Sequence, residues 1–348
     1  MRLNKNIKFF FNYFLGPLLF VWLCFSIYRQ IGDQPHLEAS WLHIKNAFYD
    51  VGVFYFLGVI LLMVVNWGLE AAKWQMSVAV IHSLSFAQSF KAVLTGVSFA
   101  VSTPNRVGEY LGRMLYMPEG KRLKVIAITL VGSMSQILVT FYMGLFGFIM
   151  YRQELTEKWP VLNGWTQWII VSLGILVVIL TLFYFNLPFF EKRLESRFRK
   201  RSWLYLTQAI NAFGIQRLSK LLLLSLARYI VFAIQYVLLF RLFEVHVTAS
   251  ALFWMMSVVF LVLAAIPSIA LADLGVRGEV SLQLIGLLSS NSLGILLTSV
   301  AAWFINLIIP ALAGSLLVIG LRVFKRYYLS GQRKKHSRQK HNVACTAL

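Results

Sequence analysis

Two stretches of this chain gather a proline, glycines and opposite charges within a few residues, inside otherwise apolar sequence. The first is STPNRVGEYLGR, residues 102–113, which holds Pro104, Arg106, Gly108, Glu109, Gly112 and Arg113. Pro104 has no N–H and disfavours helical geometry at Thr103, so an incoming helix stops there. Ser102 or Thr103 then offers a side-chain oxygen to the start of the next helical limb. Unpaired N–H groups at such a start attract anions, and Arg106 stands beside them, which makes a phosphate seat. Gly108 and Gly112 are four apart and form a small-residue stripe suited to close helix packing. Glu109 and Arg113 have the same spacing and can pair with each other. The plainer reading is a cytoplasmic turn with a surface salt bridge.

The second stretch is IPSIALADLGVRGE, residues 266–279, with Pro267, Asp273, Gly275, Arg277, Gly278 and Glu279. Asp273 and Arg277 pair at i,i+4 if the helix resumes early, and Glu279 then faces elsewhere. Ionisable side chains within a membrane are costly, and usually pair in the interior or line a water-filled cavity. An extracellular loop with a few charges is the alternative. Upstream, NWGLEAAKW (66–74) places Asn66, Glu70 and Lys73 on one helical face, although Lys73 and Trp74 also suit an interfacial anchor. LARYIVFAIQYV (226–237) sets Arg228 and Gln235 two turns apart. Arg228 is near enough to the segment's end to snorkel, and Gln235 reads as helix-packing glue.

The elements that must position these residues are membrane helices. The chain is 59% hydrophobic and 13% charged over 348 residues, against about 25% charged for a soluble domain. Apolar runs long enough to cross a bilayer recur along it. The expected fold is an all-α polytopic membrane protein with full crossings near 9–28, 51–69, 123–150, 165–187, 220–243 and 294–321. Two shorter apolar segments, 86–101 and 250–271, each run into one of the proline motifs and continue into short limbs near 105–117 and 275–290. Read as re-entrant or broken hairpins, they leave six crossings; the alternative is eight full transmembrane helices.

Most of the 33 Lys and Arg residues then fall on one side, which places both termini in the cytoplasm. The formal charge of +20 reflects this bias rather than nucleic-acid binding. The segments 191–203 and 322–340 are basic patches suited to anionic headgroups. The expected organisation is a single integral membrane domain, 1–325, with a basic cytoplasmic tail, 326–348. Its halves, about 1–160 and 161–325, form an inverted pseudo-repeat, echoed by RVGEYL (106–111) against VRGEVS (276–281) and EAAKWQ (70–75) against LARYIV (226–231). Such repeats place substrate sites at their interface. Cys24 and Cys345 are too far apart in sequence to suggest a disulfide framework, and the six histidines show no ligand spacing. No nucleotide-binding or hydrolase motif is present, so neither cofactor nor metal is expected.

These residues give a resemblance. STPNRVGEYLGR, preceded by LEAAKW and followed by IPSIALADLGVRGE, resembles the lysylphosphatidylglycerol synthase transmembrane-region family, also described as flippase-like, over roughly 8–325. Its sharpest elements are Pro104, Arg106, Gly108 and Glu109, then Gly275 to Arg277. Gly278, between Arg277 and Glu279, departs from the family pattern and leaves open whether Asp273 or Glu279 takes the acid's role.

The resemblance covers the membrane domain only, without the family's cytosolic synthase domain. It implies a translocase for a phospholipid or lipid-linked substrate in a bacterial or archaeal cytoplasmic membrane, working without nucleotide hydrolysis. The expected partners are membrane lipids: an anionic or aminoacylated phospholipid, or a lipid-linked glycan. A separate lipid-modifying enzyme would supply a modified lipid. Arg106, Arg113 and Arg277 would hold phosphate, while Glu109, Asp273 and Glu279 would meet cationic head groups or relay protons. The alternatives are a membrane-embedded transferase with Glu109 or Asp273 as base, and a non-transporting envelope-assembly partner.

Overall fold

The computed structural model describes residues 52–101, 103, 107–189, 209–266 and 270–318. The expected first crossing, Ser102, Pro104 and Arg106, the basic loop 191–203 and the basic tail lie outside the described residues. All regular structure among the described residues is helical.

Five helices are long and apolar enough to cross a membrane: α1 Gly52–Val78, α4 Lys124–Met150, α6 Thr166–Phe185, α7 Ile215–Leu242 and α10 Ser292–Val318. The 27 residues of α1 span about 40 Å at the α-helical rise, more than the hydrocarbon core requires. Each matches an expected crossing, and α1 and α7 run several residues further toward the polar sides. α1 extends because Glu70 and Lys73, whose charges suggested the end of an apolar run, find partners inside the protein. On α6, Trp168, Ile175 and Leu182 are more than half exposed, as suits a helix whose outer face meets lipid.

The two proline motifs sit between shorter helices. α2 Phe86–Val101 (16 residues) turns back into α3 Gly108–Met114 (7 residues). Likewise α8 Ala249–Ala265 leads into α9 Ala270–Ile285 (16 residues). At about 24 Å, α2 and α9 fall short of the roughly 30 Å hydrocarbon core. α9 begins five residues ahead of the expected limb at 275–290, so helix resumes early enough to bring Asp273 and Arg277 onto one face. A short helix, α5 Arg152–Lys158, joins α4 to the segment before α6.

Glycine governs the first hairpin. A Cβ at Gly112 would stand 2.6 Å from the Gly96 Cα and the Thr95 carbonyl oxygen, and one at Gly108 would collide with the Phe99 carbonyl. The small-residue stripe therefore lets α3 lie directly on the α2 backbone. Thr103 closes the turn: its Oγ1 accepts from the Gly108 N–H at 2.7 Å and donates to the Phe99 carbonyl at 3.1 Å.

The long helices pack around these hairpins. α1 and α7 run antiparallel: Gly58 meets Leu238, Gln235 donates to the Val59 carbonyl at 3.0 Å, and Lys73 reaches Ser225. Gly144 and Gly147 of α4 admit Leu261 and the Trp254 carbonyl of α8, while Gly314 of α10 fits against Leu94 and Ser98 of α2. Each hairpin is thus gripped by a long helix from the other half of the chain. Within α10, Pro310 lacks an N–H and its ring would clash with the Asn306 carbonyl. The helix widens just before it into a π turn, Phe304–Ile308, a distortion frequent at functional sites.

Candidate functional site

Where α1, α3, α4 and α7 meet, Glu70 acts as the hub of a buried ion network. Its Oε1 accepts from Arg113 at 2.7 Å. Its Oε2 takes Lys73, one turn along α1, at 3.0 Å and also pairs with Arg228 from α7. Arg113 pairs in turn with Glu109 on its own helix and lies over the Trp74 ring, 4.9 Å from its centroid. Lys73 donates to the Gly132 carbonyl at 3.3 Å and to Ser225 Oγ at 3.4 Å. Ser225 shares a 2.8 Å hydrogen bond with Ser135. Side-chain exposures of 3% for Arg113 and 8% for Glu70 keep water from competing, so each charge depends on the others.

Arg228 connects this network to a cavity of about 410 Å³. Its Nε donates to Asn66 Oδ1 at 2.9 Å, and Gln136 Oε1 receives a long 3.4 Å bond from the guanidinium. The side chain keeps 17% exposure and forms part of the cavity wall. Asp273 and Arg277 line the same cavity and pair at 3.2 Å, while Arg277 also donates to the Tyr236 hydroxyl at 3.3 Å. Trp67, Tyr229, Phe232, Phe260 and Trp303 supply apolar and aromatic wall, with Phe232 stacked on Phe260 at 5.3 Å. Two buried donors on these walls, Arg277 Nε and Trp303 Nε1, have no hydrogen-bond partner among the described residues. Trp303 and Asn306 flank and occupy the π turn.

The sequence-derived candidates separate into three groups. Asp273, Arg277 and Arg228 share the cavity, joined by Thr103 at the end of the first hairpin. Glu70, Lys73, Glu109 and Arg113 lie behind it in the ion network. Arg113 meets Glu70 and holds Glu109 beside it, because α3 lies flat on α2 and turns its charged face toward α1. Gln235 is buried helix glue as expected. Glu279 accepts from Gln283 at 3.0 Å on an exposed face and does not line the cavity, and Gly275 is buried on α9. Gly108 serves the hairpin crossing. Pro104 and Arg106 lie outside the described residues.

Thr103 supplies the expected side-chain oxygen at the start of α3, taking the Gly108 N–H. Two local expectations are corrected. Lys73 is 3% exposed and cannot be an interfacial anchor. Arg228 does not snorkel, because Glu70 and Asn66 hold it inside. Sequence reasoning missed Gln136, Ser225, Tyr236 and Asn306, which are inconspicuous polar residues in apolar helices. The signal available was that an intramembrane Glu70 and an intramembrane Arg228 each demand an opposite charge.

The fold and this interior define a polytopic helical membrane protein with a charged cavity among its helices. The chain belongs to the lysylphosphatidylglycerol synthase TM region family, whose model matches residues 14–314. It is thus an integral membrane protein of a family tied to membrane lipids. Comparison with curated proteins gives no match.

Proposed function

We propose that the chain is a flippase-like translocase that moves a phospholipid or lipid-linked substrate across its membrane without nucleotide hydrolysis. The cavity carries this reading. It combines cationic Arg228 and Arg277 with acidic Asp273 on walls otherwise built from Trp67, Phe232, Phe260 and Trp303. A phosphate suits the two guanidiniums, whose planar forks hold phosphate oxygens in bidentate fashion. A cationic substituent on the head would find Asp273. The aromatic walls suit the glycerol and upper acyl region, which water would not solvate. Family membership supports a lipid substrate, an anionic or aminoacylated phospholipid or a lipid-linked glycan.

Reconstitution into vesicles holding head-labelled phospholipids, without ATP, tests the proposal. The parent protein is expected to speed transbilayer movement, and Arg277→Gln to slow it by about tenfold or more, since a charge-assisted hydrogen bond is worth about 1.5–3 kcal/mol. Equal rates for parent, Arg277→Gln and Asp273→Asn would remove the cavity from the transport path.

A further inference from the structure

Asn66 has only 5% of its surface exposed, yet it lines the cavity. It stands near the middle of α1, as Arg228 does near the middle of α7, so both are far from either membrane surface. The orientation of its amide is fixed by chemistry. Arg228 Nε is a donor and nothing else, so the amide atom 2.9 Å from it is the carbonyl oxygen, Oδ1. The amide nitrogen, Nδ2, is therefore the branch turned away from that bond, and it brings two N–H donors to place.

Arg228 divides its nitrogens in the same way. Nη1 pairs with Glu70 and gives a long 3.4 Å bond to Gln136, while Nε is held by Asn66. Nη2 is the nitrogen left over. Nε–H and one Nη2–H point the same way from one edge of the planar guanidinium, and Asn66 takes the first of them. The second lies beside the Asn66 amide. Among the described residues neither Nη2 nor Nδ2 meets a protein acceptor, and both residues form cavity wall. Arg277 differs: its two terminal nitrogens go to Tyr236 at 3.3 Å and Asp273 at 3.2 Å. Donors held this deep favour an arriving acceptor, since leaving them unpaired costs free energy.

We propose that Asn66 and Arg228 form a phosphate subsite, in which one anionic oxygen accepts from Asn66 Nδ2 and Arg228 Nη2 together. This rests on the reading of the cavity as a lipid headgroup site and adds the wall that holds the phosphate. Asn66 then has two tasks: its Oδ1 aims the guanidinium, and its Nδ2 touches the ligand. Glu70 keeps another edge of Arg228 in place, so the subsite exists before the lipid arrives and little order has to be imposed on binding. Arg277 contributes charge from the same cavity while staying on Tyr236 and Asp273. An oxyanion satisfies both donors; an ammonium, which only donates, satisfies neither. The subsite therefore selects for phosphate, whatever the head carries beyond it.

The test is titration of the detergent-solubilised full chain with short-chain phosphatidylglycerol, with a thermal melt of each variant alongside. Asn66→Asp keeps an oxygen for Arg228 Nε but replaces the Nδ2 donor with a second, negative acceptor. It should melt no lower than the parent and bind the lipid about tenfold more weakly or worse. Arg228→Lys keeps the charge but has no fork for Asn66 to aim. In that background Asn66→Ala should still weaken binding by about twofold or more, as loss of one neutral hydrogen bond requires. No further loss there would make Asn66 a positioning residue alone and overturn the direct contact. Parent-like binding by Asn66→Asp overturns the subsite while leaving the lipid reading intact, and no binding of the lipid by the parent overturns both. Inorganic phosphate that displaces the lipid from the parent would support the subsite and assign recognition to the phosphate group alone. Phosphate that fails to displace a lipid still dependent on Asn66 would support it equally and assign recognition to the lipid's phosphodiester.

Discussion

Glu70→Ala is expected to destabilise the folded protein by about 3–5 kcal/mol, the usual cost of removing one partner from a buried ion pair. Glu70 is the single carboxylate that holds Lys73, Arg113 and Arg228 together, and these come from α1, α3 and α7. Without it, Arg113 keeps Glu109, but Lys73 and Arg228 lose their only described ion-pair partner in a region water barely reaches. The loss should appear as a lower unfolding temperature in detergent and as earlier proteolysis of the α3 region. Glu70→Asp, which keeps the charge but shortens the reach, should lie between parent and alanine variant. An alanine variant as stable as the parent would show that the network does not hold these helices together.

Arg228→Met should behave in the opposite way, with activity lost and the fold largely kept. Glu70 retains Lys73 and Arg113 when Arg228 is removed. Methionine also preserves much of the apolar stem. The cavity, however, loses one of the two guanidiniums that line it. Loss of a charge-assisted contact to phosphate corresponds to roughly ten- to a hundredfold weaker headgroup binding. Titration with an anionic phospholipid beside a thermal melt would check both halves of this expectation. A variant that unfolds readily but binds normally would reverse the assignment, making Arg228 structural and leaving Arg277 to hold the head.

The contrast between these two residues shows what the sequence could disclose. Hydropathy placed the five described crossings, because bilayer thickness imposes a length that no soluble helix must meet. Pro104 and Pro267 located the breaks between α2 and α3 and between α8 and α9, since proline acts on its own backbone. The pairings Glu109–Arg113 and Asp273–Arg277, and the shared face of Asn66, Glu70 and Lys73, followed from helical spacing. What spacing cannot supply is the partner on another helix. Arg113 was expected to hold phosphate together with Arg277, yet α3 rests on α2 through Gly96 and Gly112 and directs Arg113 to Glu70, 43 positions away in sequence. Arg228 was read as a terminal anchor because its partner lies 158 positions away. The cavity wall was equally hidden: Trp67, Phe232 and Phe260 look like ordinary membrane-helix residues until the packing of α1, α7 and α8 brings them together.

A lipid head is expected to enter the cavity lined by Arg228 and the Asp273–Arg277 pair. The most direct measurement is photocrosslinking of the full chain in a bilayer with a phospholipid bearing a photoreactive group on its head, followed by peptide mapping. Crosslinks are expected at the cavity wall, around Asn66 and Trp67, Phe232, Leu263 and Ala264, and Trp303 to Leu307, and to be diminished by Arg228→Met. Crosslinks confined to the outer faces of α1 and α6, unchanged in that variant, would contradict it.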